Sequence, residues 1–163
     1  MKTPSGYSTL QIALHWAVAA FVGLQFLIND GMGRALHKVL NGAAIDWNFT
    51  VLSHVTIGVV LLVLMLWRFA VRMTRGTPAP EANFQGRVAH AVHFVLYVVV
   101  ILASLTGGTA LFLGIHLMGD IHALTTNLLI GLIGLHVAGA AWHHFKLRDQ
   151  TLWRMIRPGA QQD

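Results

Sequence analysis

Four long runs of apolar residues, none of which contains Asp, Glu, Lys or Arg, dominate the hydrophobic pattern of this chain. The runs are Leu10–Ile28, Phe49–Trp67, Val88–Met118 and Ile121–Phe145. Each is long enough for a helix to cross a hydrocarbon core of ~30 Å, which takes roughly 18–20 residues, and none contains proline. Because backbone groups in lipid must find hydrogen-bond partners within the protein, unbroken helices are favoured over an open sheet. The pattern therefore predicts an all-α fold, a transmembrane four-helix bundle.

We expect a single membrane-embedded domain over residues 1–163, with short connections between its spans. The spans are predicted at about 10–28, 49–70, 88–113 and 121–145. The third apolar run is longer than a span needs, so we expect its end, after Gly107-Gly108, to leave the membrane early or to tilt.

The connections differ in length and in polarity. Residues 29–48 form a longer loop that includes one turn of mixed Leu, His and Lys, and residues 72–86 form a linker broken by two prolines. The link between the third and fourth spans is very short and is predicted around Gly119-Asp120. A short link of this kind makes the two spans antiparallel neighbours.

The segment after the last span combines apolar and basic residues. Asp149 is a suitable N-cap, Arg154 and Arg157 follow, and Pro158 ends the pattern. These features predict a short interfacial helix over about 149–157.

Lysine and arginine are distributed unequally between the two sides of the predicted bundle. If the N-terminus is cytoplasmic, nine of the eleven lie on that side and two on the other. The nine are Lys2, Arg68, Arg72, Arg75, Arg87, Lys146, Arg148, Arg154 and Arg157; the two are Arg34 and Lys38. Cytoplasmic loops carry an excess of Lys and Arg, so both termini are predicted to be cytoplasmic. Contact with anionic headgroups accounts for the net charge of +5 without nucleic acid as a partner.

The composition excludes several classes of protein. Hydrophobic residues make up 55% of the chain and charged residues 10%, unlike a disordered chain, a fibrous repeat or an ordinary soluble domain. The absence of cysteine excludes disulfides, iron–sulfur clusters, zinc–thiolate sites and covalent haem attachment. Histidine, in contrast, is abundant: ten histidines outnumber the six acidic residues.

Eight of these histidines lie in or at the ends of the predicted spans. They are His15, His54, His90, His93, His122, His136, His143 and His144. Histidine within a span is costly and usually faces the bundle interior or a polar cavity. One such residue is equally well explained by an interhelical hydrogen bond, but eight together indicate a bound cofactor. A path for metal ions would need acidic residues within the spans, and the sequence has none there.

His122 and His136 have the most informative spacing. Fourteen residues at about 100° each turn the helix through ~1400°, close to four full turns, so both side chains project from nearly the same face. At about 1.5 Å per residue they lie ~21 Å apart. One helix with this spacing supplies one axial ligand to each of two cofactors stacked across the bilayer.

The directions of the helices then predict the partners of these two residues. The first span runs outward, which places His15 towards the cytoplasm, and the second runs inward, which places His54 towards the outer side. The fourth span also runs inward, with His122 at the outer level and His136 at the inner level. The predicted pairs are His15 with His136 and His54 with His122. Neutral imidazoles on apolar helices suit bis-histidine ligation of two b-type haems.

Two residue types near the cytoplasmic end leave alternatives open. His93 is an alternative to His15 as the partner of His136, or it contacts a haem propionate, a quinone or another helix. Arg68 and Arg87 are candidates to bind propionates, and headgroup anchoring is an equally good explanation for both.

Taken together, these residues resemble the bacterial cytochrome b561 family, and the likeness covers nearly the whole chain. The matching segments are Leu10–Trp16 and Ser53–Val55 with the run to Arg68, followed by Ala89–Tyr97, Gly134–Phe145 and Arg148–Met155. The resemblance implies two b haems held by the first, second and fourth spans, in a bacterial inner membrane.

The resemblance also implies an oxidoreductase linked to quinone. The family includes a superoxide:ubiquinone oxidoreductase, and similar cytochromes are subunits that pass electrons between quinone and a soluble redox partner, so two functions are open. His143 and Trp16 are the candidate quinone contacts, and anchoring at the membrane interface explains both equally well. His143 is preferred to His144 because of the family likeness. The sequence departs from the family in one respect that bears on the electron donor. The link between the third and fourth spans is shorter than expected of the superoxide-oxidising member.

The outer face carries nearly balanced charge. Arg34, Lys38 and His37 are candidates to attract an anion such as superoxide. Three acidic residues lie near them: Asp30, Asp46 and Asp120.

Overall fold

Five α-helices account for most of the chain that this computed structural model describes, residues 6–78 and 84–159. The helices are α1 (Thr9–Leu27), α2 (Met32–Leu40), α3 (Phe49–Arg75), α4 (Phe84–Leu113) and α5 (His116–Trp142). The described residues contain no β-strand. Four helices, α1, α3, α4 and α5, are long and apolar enough to cross a membrane. The predicted all-α fold with four spans is confirmed.

Local sequence signals explain where the first two spans begin and end. Ser8 and Gln11 form a reciprocal capping box at the start of α1, and the Asn48 side chain accepts from the Val51 N–H at the start of α3. Gly76, with a φ of +70°, ends α3. Its carbonyl accepts a hydrogen bond of 2.8 Å from Gln11 Nε2, which joins the end of α3 to the beginning of α1.

The link between α4 and α5 does not lie at Gly119-Asp120, where it was expected. The chain turns at Gly114, whose φ of +65° suits glycine, and α5 already begins at His116. Helix α4 continues through Gly107-Gly108 to Leu113 without interruption. Because Gly119 packs closely against side chains of α2, including Leu40, it lies within the packed part of the bundle.

The loop 29–48 is more ordered than the single turn that was expected. Helix α2 has nine residues and presents an apolar face, with Met32 buried. It packs with Val51 of α3 and Leu111 of α4 across one end of the bundle. We call this end the loop end, and the opposite end, where α1 begins and α5 finishes, the terminal end.

An apolar cluster from all four spans fills the middle of the bundle. Its buried members are Val18, Val22, Leu61, Met65, Val99, Val100 and Leu129. On α5, Leu129 lies midway between His122 and His136, and on α3 the cluster follows His54 towards Arg68. We call this cluster the apolar layer, since it separates histidines near the loop end from those near the terminal end.

The tail at the terminal end is less helical than expected. After α5, a π-helical turn covers His143–Leu147 and a 3-10 helix covers Trp153–Met155, in place of one helix over 149–157. The Trp16 indole N–H donates to the Met155 carbonyl at 2.8 Å, which holds the tail across the start of α1. Lys2, one of the cations used for orientation, lies outside the described residues.

Candidate functional site

The structure brings His54 of α3 and His122 of α5 together near the loop end. Their ring centroids are 6.2 Å apart, with the ring planes at 82°. The Nδ1 atom of His122 lies 2.9 Å from the Ala103 carbonyl of α4. Since a carbonyl only accepts, Nδ1 carries the proton and Nε2 keeps its lone pair.

Helix α4 also sets the position of the His122 ring through close contact with its backbone. A Cβ atom added to Gly107 would lie 2.8 Å from His122 Cε1 and 2.9 Å from His122 Nδ1. Real side chains do not approach so closely, so only glycine leaves room for the ring. The neighbouring Gly108 has open space at the same position.

Two buried polar atoms close to this pair have no hydrogen-bond partner in the described part of the chain. They are His54 Nδ1 and Gln25 Oε1. The two residues are already joined, because Gln25 Nε2 donates to the His54 carbonyl at 3.0 Å. A donor-capable ring nitrogen and an amide oxygen therefore remain unsatisfied on two residues joined by a hydrogen bond, and burial makes such atoms costly.

A larger polar cluster lies near the terminal end. His15 of α1 and His136 of α5 have ring centroids 6.2 Å apart, whereas His93 of α4 lies only 4.9 Å from His136. Arg68 Nη1 is 2.9 Å from His15 Nδ1, and the guanidinium lies 5.4 Å from the centre of the Tyr97 ring. We call His54 and His122 the loop level, and His15, His93, His136 and Arg68 the terminal level.

Ring spacing tests whether an iron fits between these histidines. Two imidazole nitrogens at about 2 Å from a metal, with each ring centre about 1.2 Å further back, place the ring centres ~6.4 Å apart. The pairs His54–His122 and His15–His136 both have this spacing. His93 lies too close to His136 for a metal between their rings.

The donor set suits a porphyrin better than a metal ion held by protein alone. Residues 6–78 and 84–159 contain no group of three or more His, Cys, Asp or Glu side chains placed to hold a metal ion. Two axial imidazoles satisfy an iron only when a macrocycle supplies the other four ligands. The ring spacing of both histidine pairs thus fits a bis-histidine haem, and at the His15 pair the Arg68 donor must leave Nδ1 for Nε2 to be free to bind iron.

His143 lies below the terminal level, seven residues after His136 and close to the same face of the helix. Its Nδ1 is hydrogen-bonded to Asp149 Oδ2, and Asp149 Oδ1 accepts from the Thr151 N–H at 2.8 Å. Partial burial would raise the pKa of Asp149, but the hydrogen bonds from His143 and Thr151 outweigh it and lower that pKa. Asp149 is therefore a carboxylate that orients the imidazole.

The remaining candidates are not gathered into either level. Arg87 and His90 are exposed on the first turns of α4. The His144 ring lies beside Trp153 of the tail, with centroids 6.5 Å apart. Trp16, half exposed, lies 5.3 Å from the His15 ring, so it borders the terminal level.

Sequence reasoning missed the residues that surround the histidines. Gly107, Ala103, Gln25 and Asp149 were not among the candidates. Gly107 carries a detectable signal, since it follows His93 by fourteen residues, the spacing that made His122 and His136 informative. We find no comparable signal for Ala103, which contributes only its backbone carbonyl.

Apolar spans around two stacked histidine pairs are the architecture of a membrane-bound haem cytochrome. Residues 6–158 match the family described as Prokaryotic cytochrome b561, and the chain belongs to that family. Its members are membrane proteins that bind haem and transfer electrons, so these properties hold for this chain.

Three similar proteins have names that describe them either as a cytochrome or as a probable superoxide oxidase. The chain is 32% identical to cytochrome b562 of Cereibacter sphaeroides, over 97% of this chain and 99% of the relative. It is 27% identical to the probable superoxide oxidase CybB of Yersinia pestis, over 92% and 95%. It is 25% identical to cytochrome b561 homolog 1 of Escherichia coli, over 92% and 96%.

Proposed function

We propose that this protein is a di-haem b-type cytochrome that transfers electrons from superoxide on the outer side of a bacterial inner membrane to ubiquinone on the cytoplasmic side. The observation that carries the proposal is the equal spacing of two histidine pairs, each at 6.2 Å, at opposite ends of one bundle. The overall reaction takes one electron from each of two superoxide ions and delivers two electrons and two protons to one quinone.

Each haem is assigned two axial ligands. His54 and His122 hold the haem at the loop level, and His15 and His136 hold the one at the terminal level. When bound, the haems supply one-electron chemistry that lets electrons cross the apolar interior. The helices fix the imidazoles and exclude water from their surroundings. His93 is assigned a place beside the terminal-level haem, because 4.9 Å from His136 leaves no room for an iron.

The terminal end is assigned to the cytoplasm with both termini. Nine of eleven Lys and Arg residues favour this orientation. The loop end, with α2 across it, then faces the outer side. Arg34 there is exposed and lies 4.0 Å from Asp30, so an anionic donor meets a surface of nearly balanced charge.

Quinone reduction is assigned to the terminal end, where protons are available from the cytoplasm. His143 holds a proton on Nδ1 against Asp149, which leaves Nε2 to exchange a proton with a quinone oxygen. Trp16 supplies an aromatic wall beside His15. Arg68 and Arg87 are the candidates to bind haem propionates at this end, and Arg68 already lies within the terminal level.

A second candidate function keeps the haems but changes the donor. The relative with 32% identity is named as a cytochrome, with no substrate in its name. A cytochrome b subunit that passes electrons between the quinone pool and a partner redox protein fits the same two histidine levels.

The test is to measure haem per polypeptide and the reduced-minus-oxidised spectrum on purified protein, then quinone reduction in vesicles supplied with superoxide. We expect two low-spin b haems and quinol formation without another protein. Two haems with no response to superoxide would favour the subunit function. One haem or none would overturn the assignment of the ligands.

A further inference from the structure

A cavity of about 320 Å³ lies in the tail after α5, outside both histidine levels. It is lined by Gln150, Trp153, Arg154 and Arg157. The two guanidinium groups and the amide offer N–H donors, and the indole offers an apolar wall. Guanidinium groups bind phosphate oxygens through paired, charge-assisted hydrogen bonds. The lining therefore favours an anionic ligand that carries several oxygen atoms. We call this site the tail cavity.

The two arginines of the tail cavity keep their positive charge. Two ion pairs form within the described part of the chain, and neither includes Arg154 or Arg157. The carboxylate of Asp149, beside the cavity in sequence, is already engaged. One of its oxygens is hydrogen-bonded to His143 Nδ1, and the other accepts from the Thr151 N–H. An anionic ligand would thus be the counter-charge for both guanidinium groups.

The Arg157 side chain is held in place by the tail itself. Its guanidinium carbon lies 4.8 Å from the centre of the Trp153 ring, and its backbone N–H donates to the Trp153 carbonyl at 2.8 Å. A guanidinium that stacks on an aromatic ring keeps the N–H groups in its plane free for an anion. Because the side chain is already ordered, less conformational entropy is lost when a ligand binds.

Contacts with the beginning of the chain fix the backbone of the tail. The Trp16 indole N–H donates to the Met155 carbonyl at 2.8 Å, and the Gly159 N–H donates to the Tyr7 carbonyl at 3.2 Å. The backbones of Gly6 and Gly159 touch, since a Cβ atom added to either would lie 2.7 Å from the Cα atom of the other. These attachments flank the second arginine of the tail cavity, so its walls are set by the fold.

Exposed aromatic side chains indicate that the tail cavity lies at the membrane surface. Trp16, Trp142 and Phe145 are 49%, 55% and 76% exposed, and they lie where α1 begins and where α5 ends. Aromatic residues at the ends of spans lie at the level of the lipid headgroups. The tail crosses this end of the bundle through its contact with Trp16. Lipid headgroups are therefore the phosphate source beside the cavity.

From these observations we propose that the tail cavity binds the phosphate group of an anionic phospholipid. Arg154 and Arg157 donate to the phosphate oxygens, Gln150 donates to the headgroup beyond them, and Trp153 packs against the glycerol backbone. A zwitterionic headgroup carries a cation next to its phosphate, which two guanidinium groups repel. The inference goes beyond the proposed function, because this lipid is neither haem nor quinone. It also differs from a general attraction of basic residues to headgroups, since it assigns binding to two particular arginines.

The experiment measures the binding of phosphatidylglycerol to the purified, haem-loaded protein by native mass spectrometry. We expect Arg154→Gln/Arg157→Gln to weaken binding by ~10-fold or more, because two charge-assisted hydrogen-bond donors are lost. Arg75→Gln/Lys146→Gln is the matched control. It removes the same net charge from exposed positions at the same end of the bundle, and it should weaken binding by less than ~3-fold.

Two further variants test how the tail cavity recognises the lipid. Arg154→Lys/Arg157→Lys keeps the charge but loses the paired donors, so it should weaken binding by a smaller factor than the glutamine variant. Trp153→Leu removes the ring on which Arg157 stacks, and it should also weaken binding. Every variant should keep the haem spectrum of the wild type. If the glutamine variant did not keep it, Trp153→Leu would decide, and wild-type affinity in that variant would overturn the proposal.

Three results would overturn the proposal. Equal weakening in the glutamine variant and in its control would reduce the effect to surface charge. Equal affinity for phosphatidylcholine would show that the tail cavity does not distinguish an anionic headgroup from a zwitterionic one. Displacement of phosphatidylglycerol by inorganic phosphate would assign the cavity to free phosphate instead of lipid. A wild-type protein with fewer than two haems would refute the proposed function alone, because the residues that line the cavity belong to neither histidine level.

Discussion

The loop level and the terminal level carry the same pair of side chains in very different surroundings. His122 donates to a backbone carbonyl of α4 and lies against Gly107, and α2 packs on α3 and α4 at the same end. His15 and His136 lie beside the side chains of Arg68 and His93. The comparison teaches that one ligand geometry can serve two tasks. Under the proposed function, surroundings made of backbone groups suit electron transfer alone, and surroundings that include Arg68 and His93 suit a reaction that also takes up protons.

Substitution of the proposed haem ligands is expected to have the largest effect. It tests whether the four histidines are assigned to the correct level. His54→Ala and His122→Ala should each abolish the same haem, while His15→Ala and His136→Ala abolish the other. The reason is that a bis-histidine iron held by one imidazole loses half of its protein ligation. Pyridine haemochrome content and low-temperature spectra would identify which haem is missing. Loss of different haems within one pair would refute that pairing.

The contact between α4 and the loop level provides the next largest effect. Gly107→Ala forces the His122 ring to move, and the affinity for the loop-level haem should fall by ~10–100-fold, as for other changes around a metal ligand. Gly108→Ala is the matched control, since its Cβ meets open space and both variants gain the same helix propensity. Haem retention on dilution measures the difference. Equal retention in the two variants would contradict a role for Gly107.

The carboxylate at the terminal end should affect quinone chemistry without affecting haem content. Asp149→Asn removes the carboxylate charge that holds the proton on His143 Nδ1, and the rate of quinone reduction should fall by ~10-fold or more. Haem content and the rate of haem reduction by superoxide should stay at the wild-type level. If quinone reduction and haem reduction by superoxide both slowed to the same extent, the defect would not lie in proton delivery to the quinone.

The pH dependence of the tail follows from the lowered pKa of Asp149. The His143–Asp149 contact stabilises the folded tail above the ordinary Asp value of 3.8 and is lost only as the pH falls through the lowered value. Proteolysis of the tail should therefore stay constant from neutral pH down to about pH 4 and should be faster in Asp149→Asn over that range. Equal proteolysis in both proteins would show that the contact does not hold the tail.

The smallest expected effect concerns His93. His93→Leu should retain two haems and shift the spectrum of the terminal-level haem only slightly, because the 4.9 Å spacing to His136 excludes it as an axial ligand. His90→Leu, at an exposed position, is the control. Loss of one haem in His93→Leu alone would make His93 the ligand and leave His15 as its neighbour.

The sequence was sufficient for the features that depend on helix length and helical period. Runs without charge fix the four spans, and the spacing of His122 and His136 fixes two levels before any packing is known. The structure brings together the same histidines that the sequence paired; their role as ligands stays a prediction. Both results follow from geometry along single helices.

The features that depend on packing between helices could not be predicted from the sequence. Gly107 matters only because α4 and α5 meet where the His122 ring lies. The sequence placed the link between α4 and α5 at Gly119-Asp120 because Asp120 was taken as the limit of the apolar span. In the structure the link lies at Gly114, and Asp120 is exposed on the first turns of α5, where a carboxylate is tolerated. Asp149 reaches His143 because a π-helical turn ends the span, and the hydropathy pattern does not predict such a turn.

The apolar layer between the two levels has a consequence for the energetics of the membrane. Its buried members are valine, leucine and methionine, whose side chains cannot carry a proton. Electrons, in contrast, can pass between two haems that lie on either side of this layer. Under the proposed function, electrons move inward through the layer while the protons of the quinol come from the cytoplasm. Net charge then crosses most of the membrane, at about 2.3 kcal/mol per charge for each 100 mV. The turnover of the protein would thus be coupled to the membrane voltage, and a negative interior would oppose it.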